Sequence, residues 1–509
     1  MMYIAFRTDA TSQIGTGHFM RCLTLADELK KQGAQIRFVS RDLPDHLRDM
    51  LTEKDINLVS LKNHASASQI NDLAHSAWLG ISQAQDAQDT LQALSDQSWD
   101  WLVVDHYALE ARWESAMRGT AKQVMVIDDI ADRQHDCDVL LDQNFYADMQ
   151  TRYSGKVPAH CQLLLGPRYA LLREEFRKLH EQIKPRTGEV KRILVFFGGV
   201  DADNYTGRAI EALVNIDIKG VDVDVVIGAR HPCRTEIETK CAVQGFVCHV
   251  QTDKMAELMA AADLAIGAGG SATWERCCLA LPTLALCTSD NQQKQIADAA
   301  QGGLLYAPVC NTNLADIIKR HVTALIENAY LRQFISRLAM QAVDGRGVLR
   351  IIGNLGCTRI VMRKAHEADL KKIFEWRNHR SIRPLSRNAD PITWESHQKW
   401  FASVMASRDR DILIGQFNEM PIGVVRFDKQ GDCAEVSIYL VPDSNHFGQG
   451  RNLLLSAEEW LKSNRPKIRI IRACVLGGNE PSQRLFLGSG YLVETTYYLK
   501  NILKNDSRI

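Results

Sequence analysis

The 509-residue chain has no excess of either charge: Lys+Arg and Asp+Glu stand at 61 each. With no basic block, nothing electrostatic draws it to nucleic acid or to an anionic membrane. Long apolar runs are also missing, and no stretch approaches the roughly 20 apolar residues that span a bilayer. At the amino end, "MMYIAFRTDATS", Arg7 and Asp9 break the apolar run before a signal-peptide core can form. The 13 cysteines include no C-x-x-C pair. That speaks against a disulfide framework or a zinc site, and for reduced thiols in the cytoplasm. The adjacent Cys277 and Cys278 lie in an apolar helical pattern and read as core packing.

The length is too great for one hydrophobic core, so several domains are expected. In the first part, "YIAF" (3–6), "IRFVS" (36–40), "WLVVD" (101–105), "VMVID" (124–128) and "QLLLG" (162–166) read as buried parallel strands. Amphipathic stretches separate them, such as "MRCLTLADELKKQG" (20–33), which ends on Gly33 as a helix should. The alternation predicts a doubly wound α/β domain over 1–168. The charged stretch 169–190 predicts a helix and linker, punctuated by Pro185 and Gly188. A second α/β unit over 191–350 follows, with strands "RILVFFGG", "VDVVIG", "DLAIGAGG" and "TLALC". Two such units in tandem imply a cleft between them for a ligand. From 358 to 503 the texture changes to a strand, a helix, hairpin strands and closing helices, an α+β module.

Two stretches carry chemistry. In "IGTGHFMRC", Gly15 and Gly17 permit a tight turn after a strand, and His18 sits just inside the helix that follows. Unpaired N–H groups and partial positive charge at the helix start suit an anion, and should keep an imidazole neutral near pH 7. Neutral imidazole is the form a general base needs; the other reading is a turn histidine bonding a carbonyl. In "DLAIGAGGSATWERCC", a strand runs into Gly267-Ala268-Gly269-Gly270-Ser271 and a helix begins near Ala272. Backbone N–H groups there, with the Ser271 hydroxyl, suit a diphosphate. Glu275, one turn on, suits the paired hydroxyls of a ribose.

The pattern G-x-G-G-S-x-x-x-E resembles the nucleotide-sugar sites of GT-B enzymes, including MurG-like glycosyltransferases. "RTDATSQIGTGHFMRCLTLA", "VVDHY", "VIDDIADRQHDCDVLLDQN", "LLGPRYALLREEF" and "GAGGSATWERCCLALPTLAL" together resemble the PseG family, the UDP-sugar hydrolases of pseudaminic acid synthesis. The resemblance spans about residues 1–350. It implies hydrolysis of UDP-2,4-diacetamido-2,4,6-trideoxy-β-L-altropyranose by water at the anomeric carbon, with inversion and without a metal. In that reading His18 is the base, and the Gly269–Ser271 loop and Glu275 hold UDP. Tyr107 and Asn291 match positions where the family contacts substrate, and Asp9 orders the turn around the histidine.

The last part resembles the GNAT acetyltransferases over about residues 358–500. A strand ends at Leu440–Val441, and Gly448-Gln449-Gly450 opens a helix whose N–H groups suit the pyrophosphate of acetyl-CoA. "NEPSQRLFLGSGY", with Asn479 and Ser482, matches the family's late motif near the pantetheine arm. Three positions depart from the family, the first being Phe447, which stands where the loop usually begins with Gln or Arg. Asn452 closes the loop where a small residue is usual, and Phe486 stands where a tyrosine often protonates the thiolate. Glu435 is the nearest candidate for a base. In the pseudaminate pathway a GNAT enzyme, PseH, acetylates the 4-amino group of the UDP-sugar that PseG then hydrolyses, so the fusion implies consecutive activities. The alternatives are a GT-B glycosyltransferase carrying a degenerate GNAT module, and a nucleotide-sugar binding protein.

Overall fold

The computed structural model describes the chain apart from residues 1, 12, 63–72, 217, 290–291, 310–312, 357–359, 387–388, 418, 443–448, 477 and 494–509. It divides into two compact units, Met1–Ile351 and Ile352–Ile509. No helix among the described residues is long and apolar enough to cross a membrane.

The first unit holds two parallel sheets. In chain order the strands of the first are β1 (Tyr3–Thr8), β2 (Gln35–Ser40), β3 (Asn57–Ser60), β4 (Trp99–Asp105), β5 (Ala121–Ile127), β6 (Val139–Asp142) and β7 (Gln162–Leu165). They lie in the order β3-β2-β1-β4-β5-β6-β7. The winding reverses between β1 and β4, which pair in register from Ile4 with Trp101 to Thr8 with Asp105. The crevice beyond the carboxyl ends of two such strands is where doubly wound sheets bind ligands.

The second sheet comprises β8 (Arg192–Phe196), β9 (Asp222–Ile227), β10 (Val247–Val250), β11 (Leu264–Ala268) and β12 (Thr283–Leu286), in the order β10-β9-β8-β11-β12. Its apolar residues alternate between two cores. Ile193, Val195, Leu264 and Ile266 pack into one, and Leu194, Ala265 and Ala285 into the other. Both faces are covered, so the inner strands read as nearly continuous apolar runs. The reversal here falls between β8 and β11, so the Gly267–Ser271 loop leaves from the switch point.

One expectation is corrected, and three short strands join those expected. The stretch 169–191 is helical only over Glu174–His180, because Ala170, Leu171 and Leu172 are buried in non-helical backbone before it and Pro185 stands beyond it. The short strands β3, β6 and β10 were not expected. Two of them are sheet edges with half-exposed residues, where the hydrophobic signal is weak.

The second unit carries β13 (Val361–Lys364), β14 (Arg410–Phe417), β15 (Met420–Gln430), β16 (Cys433–Leu440) and β17 (Ile470–Ala473), hydrogen-bonded in chain order. All neighbours are antiparallel except β16 and β17, which run parallel. Gly415 and Gly423 face each other across β14 and β15. A Cβ on either would lie 2.2 or 2.4 Å from the Leu453 side chain of helix Gln449–Asn464. The paired glycines are what let that helix approach the sheet.

Candidate active site

The turn after β1 places His18 in the first turn of helix Gly17–Lys31. Gly15 takes φ +74°, a conformation that favours glycine, and its N–H donates to the Thr11 carbonyl. The His18 ring lies against the end of β4, with Nδ1 2.5 Å from Asp105 Oδ1. Arg21, three residues further along the helix, grips the same carboxylate through Nε (2.6 Å) and Nη2 (2.7 Å). Its Nη1 donates to Asp129 Oδ2 at 2.9 Å. The Tyr107 hydroxyl donates to Asp129 Oδ1, and its ring stands edge-on to His18 at 4.5 Å.

These groups are almost wholly buried, so their charges must compensate one another. Burial opposes the charge on Asp105, but Arg21, with help from His18, outweighs it and holds the carboxyl far below the usual range. Burial, reinforced by Asp129, pushes the Tyr107 phenol well above its ordinary value, so it remains a donor. Two carboxylates therefore face one guanidinium, and an imidazolium formed at His18 balances the second. Asp105 fixes Nδ1 as the protonated nitrogen, which leaves Nε2 as the basic edge of the ring.

One cleft of about 220 Å³ is lined by Gly17, His18, Arg21 and Tyr107 from the first sheet's side and by Gly270, Ser271, Gln292 and Gln295 from the second. Gly270 takes φ +85° and Ser271 is exposed at the start of helix Ala272–Cys278. Gly269 lies behind them, where a Cβ would meet the Ile296 side chain at 2.6 Å.

Of the residues singled out from sequence, His18, Gly17, Tyr107, Gly270 and Ser271 share this cleft. Four do not line it, Gly269 behind the loop among them. Gly15 shapes the turn. Asp9 is buried elsewhere, paired with Arg7 at 2.7 Å and accepting from Ser40 Oγ and the Arg41 N–H, so it braces the β1–β2 edge rather than the histidine. Glu275 lies a turn beyond Ser271 off the cleft wall, and burial raises its carboxyl above the ordinary value against the pull of Arg173. Asn291 lies outside the described residues. Sequence reasoning missed Asp105, Arg21, Asp129, Asn144 and Gln295. Their signals were an arginine at i+3 from His18 and aspartates at the ends of two strand patterns, "VVDHY" and "VIDD".

In the second unit, β17 pairs with β16 only from Cys433–Ile470 to Val436–Ala473, while β16 runs on to Leu440 beside β15. The β16–β17 ladder thus ends at Val436, ahead of Leu440–Val441. Beyond that pair, the described ladder of β16 is with β15. Gly450 has room beside it, with Leu485 no nearer than 3.7 Å to an added Cβ. Phe447 and Gly448 lie outside the described residues. Gln449, expected to offer its N–H, and Asn479 both bond through their side chains within the fold. Gln449 is buried and donates to the Gly353 carbonyl, and Asn479 caps helix Glu480–Gly488 by accepting from the Ser482 N–H at 3.2 Å. Phe486 is buried against Tyr491, whose hydroxyl donates to Glu458 at 2.8 Å.

Two parallel sheets opening onto one cleft make the first unit a tandem of doubly wound α/β layers, and a mixed sheet makes the second an α+β unit. Residues 359–491 match the acetyltransferase (GNAT) domain family. Over 304 residues the chain is 24% identical to the UDP-2,4-diacetamido-2,4,6-trideoxy-β-L-altropyranose hydrolase of Campylobacter jejuni, covering 59% of this chain and 97% of that protein. An uncharacterized protein of Methanocaldococcus jannaschii is 24% identical over 513 residues, covering 96% of each chain. The crystal structure of Acinetobacter baumannii MurG aligns with a TM-score of 0.48 at 16% identity, covering 70% of this chain and 99% of that one. The chain is thus similar over 304 residues to a UDP-sugar hydrolase and, over residues 359–491, to GNAT acetyltransferase domains.

Proposed function

We propose that the first unit hydrolyses UDP-2,4-diacetamido-2,4,6-trideoxy-β-L-altropyranose to UDP and the free sugar. The observation that carries this reading is the His18–Asp105 pair at 2.5 Å on one wall of a cleft whose other wall is the Gly270–Ser271 loop. His18 Nε2 takes a proton from water, and the water oxygen attacks the anomeric carbon from the face opposite UDP. The C1–O bond breaks, its electron pair leaves with the diphosphate, and the configuration inverts. The Gly269-Gly270-Ser271 backbone receives the diphosphate. Asp105 neutralises the imidazolium as it forms, an arrangement whose base contributes about 10²–10⁴-fold.

The second unit, in the same reading, N-acetylates the 4-amino group of the UDP-sugar before hydrolysis. Acetyl-CoA supplies the acetyl thioester when bound, and the backbone at Leu440–Val441 with Gly450 and Ser482 holds it.

The test mixes the protein with the UDP-4-amino-sugar, with and without acetyl-CoA, and follows CoA, UDP and sugar by NMR. CoA should appear first and UDP second, with no acceptor needed. A protein that releases no UDP from the pre-acetylated sugar would falsify the hydrolase. Release that requires an acceptor would make it a glycosyltransferase.

A further inference from the structure

We infer that Asn144 is a positioning residue that ties the seat of the nucleotide loop to the ring of His18, an inference whose catalytic consequence rests on the proposed hydrolysis. Asn144 lies in the loop after β6 and is 7% exposed. Its Oδ1 accepts from Trp274 Nε1 at 2.8 Å and from Gln295 Nε2 at 3.1 Å, both carried by the second α/β layer. Its Nδ2 donates to Asp129 Oδ2 at 3.2 Å. From Asp129 the chain of bonds continues through Arg21 to Asp105 and so to His18 Nδ1.

The amide has one orientation that works. Turned over, its NH₂ would meet two N–H donors and its oxygen would meet a carboxylate. An aspartate here would keep the two donors but set a second carboxylate against Asp129. Asparagine supplies the needed acceptor on one side and donor on the other.

Trp274 gives the relay its lever. It is fully buried and sits three residues after Ser271 in helix Ala272–Cys278, so it moves with the loop that lines the cleft. Asn144 and Trp274 stand 130 residues apart in the chain. A shift of the loop that carried Trp274 away would leave the Asn144 oxygen short of a donor and release Asp129. Arg21 would then be free to turn away from Asp105. His18 is therefore oriented for water when the second layer is seated.

The test uses the full chain with labelled histidine and reads the His18 ring ¹⁵N resonances, assigned with His18→Asn. Trp274→Phe keeps an aromatic ring and removes the donor together with part of the buried indole. The expected results are displaced His18 resonances in the nucleotide-free protein, an unchanged Kd for UDP by calorimetry, and kcat lower by about tenfold at constant KM. Asn144→Asp should cost more than Asn144→Ala, because it adds charge beside Asp129. His18 resonances that superimpose on the wild type in Trp274→Phe overturn the relay. So does a variant whose kcat and UDP affinity fall by the same factor, which would make Trp274 a packing residue of the nucleotide site. A wild-type protein that releases no UDP refutes the hydrolase, while the resonance comparison still decides the relay.

Discussion

Replacing Asp105 with asparagine tests the charge logic of the site most directly. Asp105 is completely buried and accepts from His18 and twice from Arg21. An asparagine oxygen can still accept from Arg21, but the amide NH₂ must then face His18 Nδ1. That reverses the tautomer: Nδ1 becomes the acceptor and Nε2 carries the proton, so the base is blocked. The loss in kcat should reach the full worth of a general base, about 10²–10⁴-fold. Arg21 keeps only Asp129 as a carboxylate partner, so the fold should also lose of order 3 kcal/mol. UDP release under single-turnover conditions measures the first effect, and urea unfolding the second. His18→Asn, which removes the base without stripping Arg21, should lose as much turnover and much less stability, and should still bind UDP. The double variant should turn over no more slowly than His18→Asn, since the two act as one unit. An Asp105→Asn protein that keeps more than about a tenth of wild-type kcat refutes the reasoning, as does a double variant whose losses multiply.

Three further outcomes are expected. His135 is fully buried between Glu114 (2.8 Å) and Asp128 (3.8 Å). Burial disfavours its charge, but the two carboxylates outweigh that and push its pKa up to about 9. Its contribution is therefore fully present below the unfolded value of about 6.5 and is lost as pH rises through about 9. Between about pH 6 and about pH 10 the wild type should lose roughly 3 kcal/mol more than His135→Gln in urea unfolding, and parallel curves would rule this out. Gly269→Ala sets a Cβ 2.6 Å from the flexible end of Ile296 and 3.1 Å from Gln292 Oε1. The fold should adjust, but Kd for UDP should rise about tenfold by calorimetry as Gln292 and the loop shift. Gly423→Ala brings a Cβ within 2.6 Å of the Tyr439 carbonyl as well as onto Leu453. The acetyltransferase unit should lose CoA binding and melt earlier, whereas UDP release by the other unit stays at the wild-type rate.

What the sequence made legible follows from how far apart the cooperating atoms lie along the chain. The turn at Gly15–His18 and the loop at Gly267–Ser271 each run strand, glycine, helix without interruption, so spacing alone places their N–H groups and side chains. The same holds for the central strands of the two parallel sheets, whose apolar runs are continuous because both faces are covered. The edge strands β3 and β10 escaped, since half-exposed residues dilute the pattern. The pairs that set the chemistry are of another kind: His18 with Asp105 spans 87 residues, Arg21 with Asp129 spans 108, and Asn144 with Trp274 spans 130. No periodicity connects such partners. They meet because β1 and β4 are neighbours at the reversal of the first sheet and because the second sheet's loop reaches the same cleft. Asn479 shows the converse. Its place in a motif suggested a ligand contact, yet asparagine before a helix is also the residue that caps it, and the cap is the role its oxygen takes. A motif therefore fixes where a polar group stands, while its availability to a ligand depends on which backbone donors the fold leaves beside it. By that criterion His18, with one nitrogen committed to Asp105 and the other ring edge on the cleft, is the site residue on which both lines of reasoning converge.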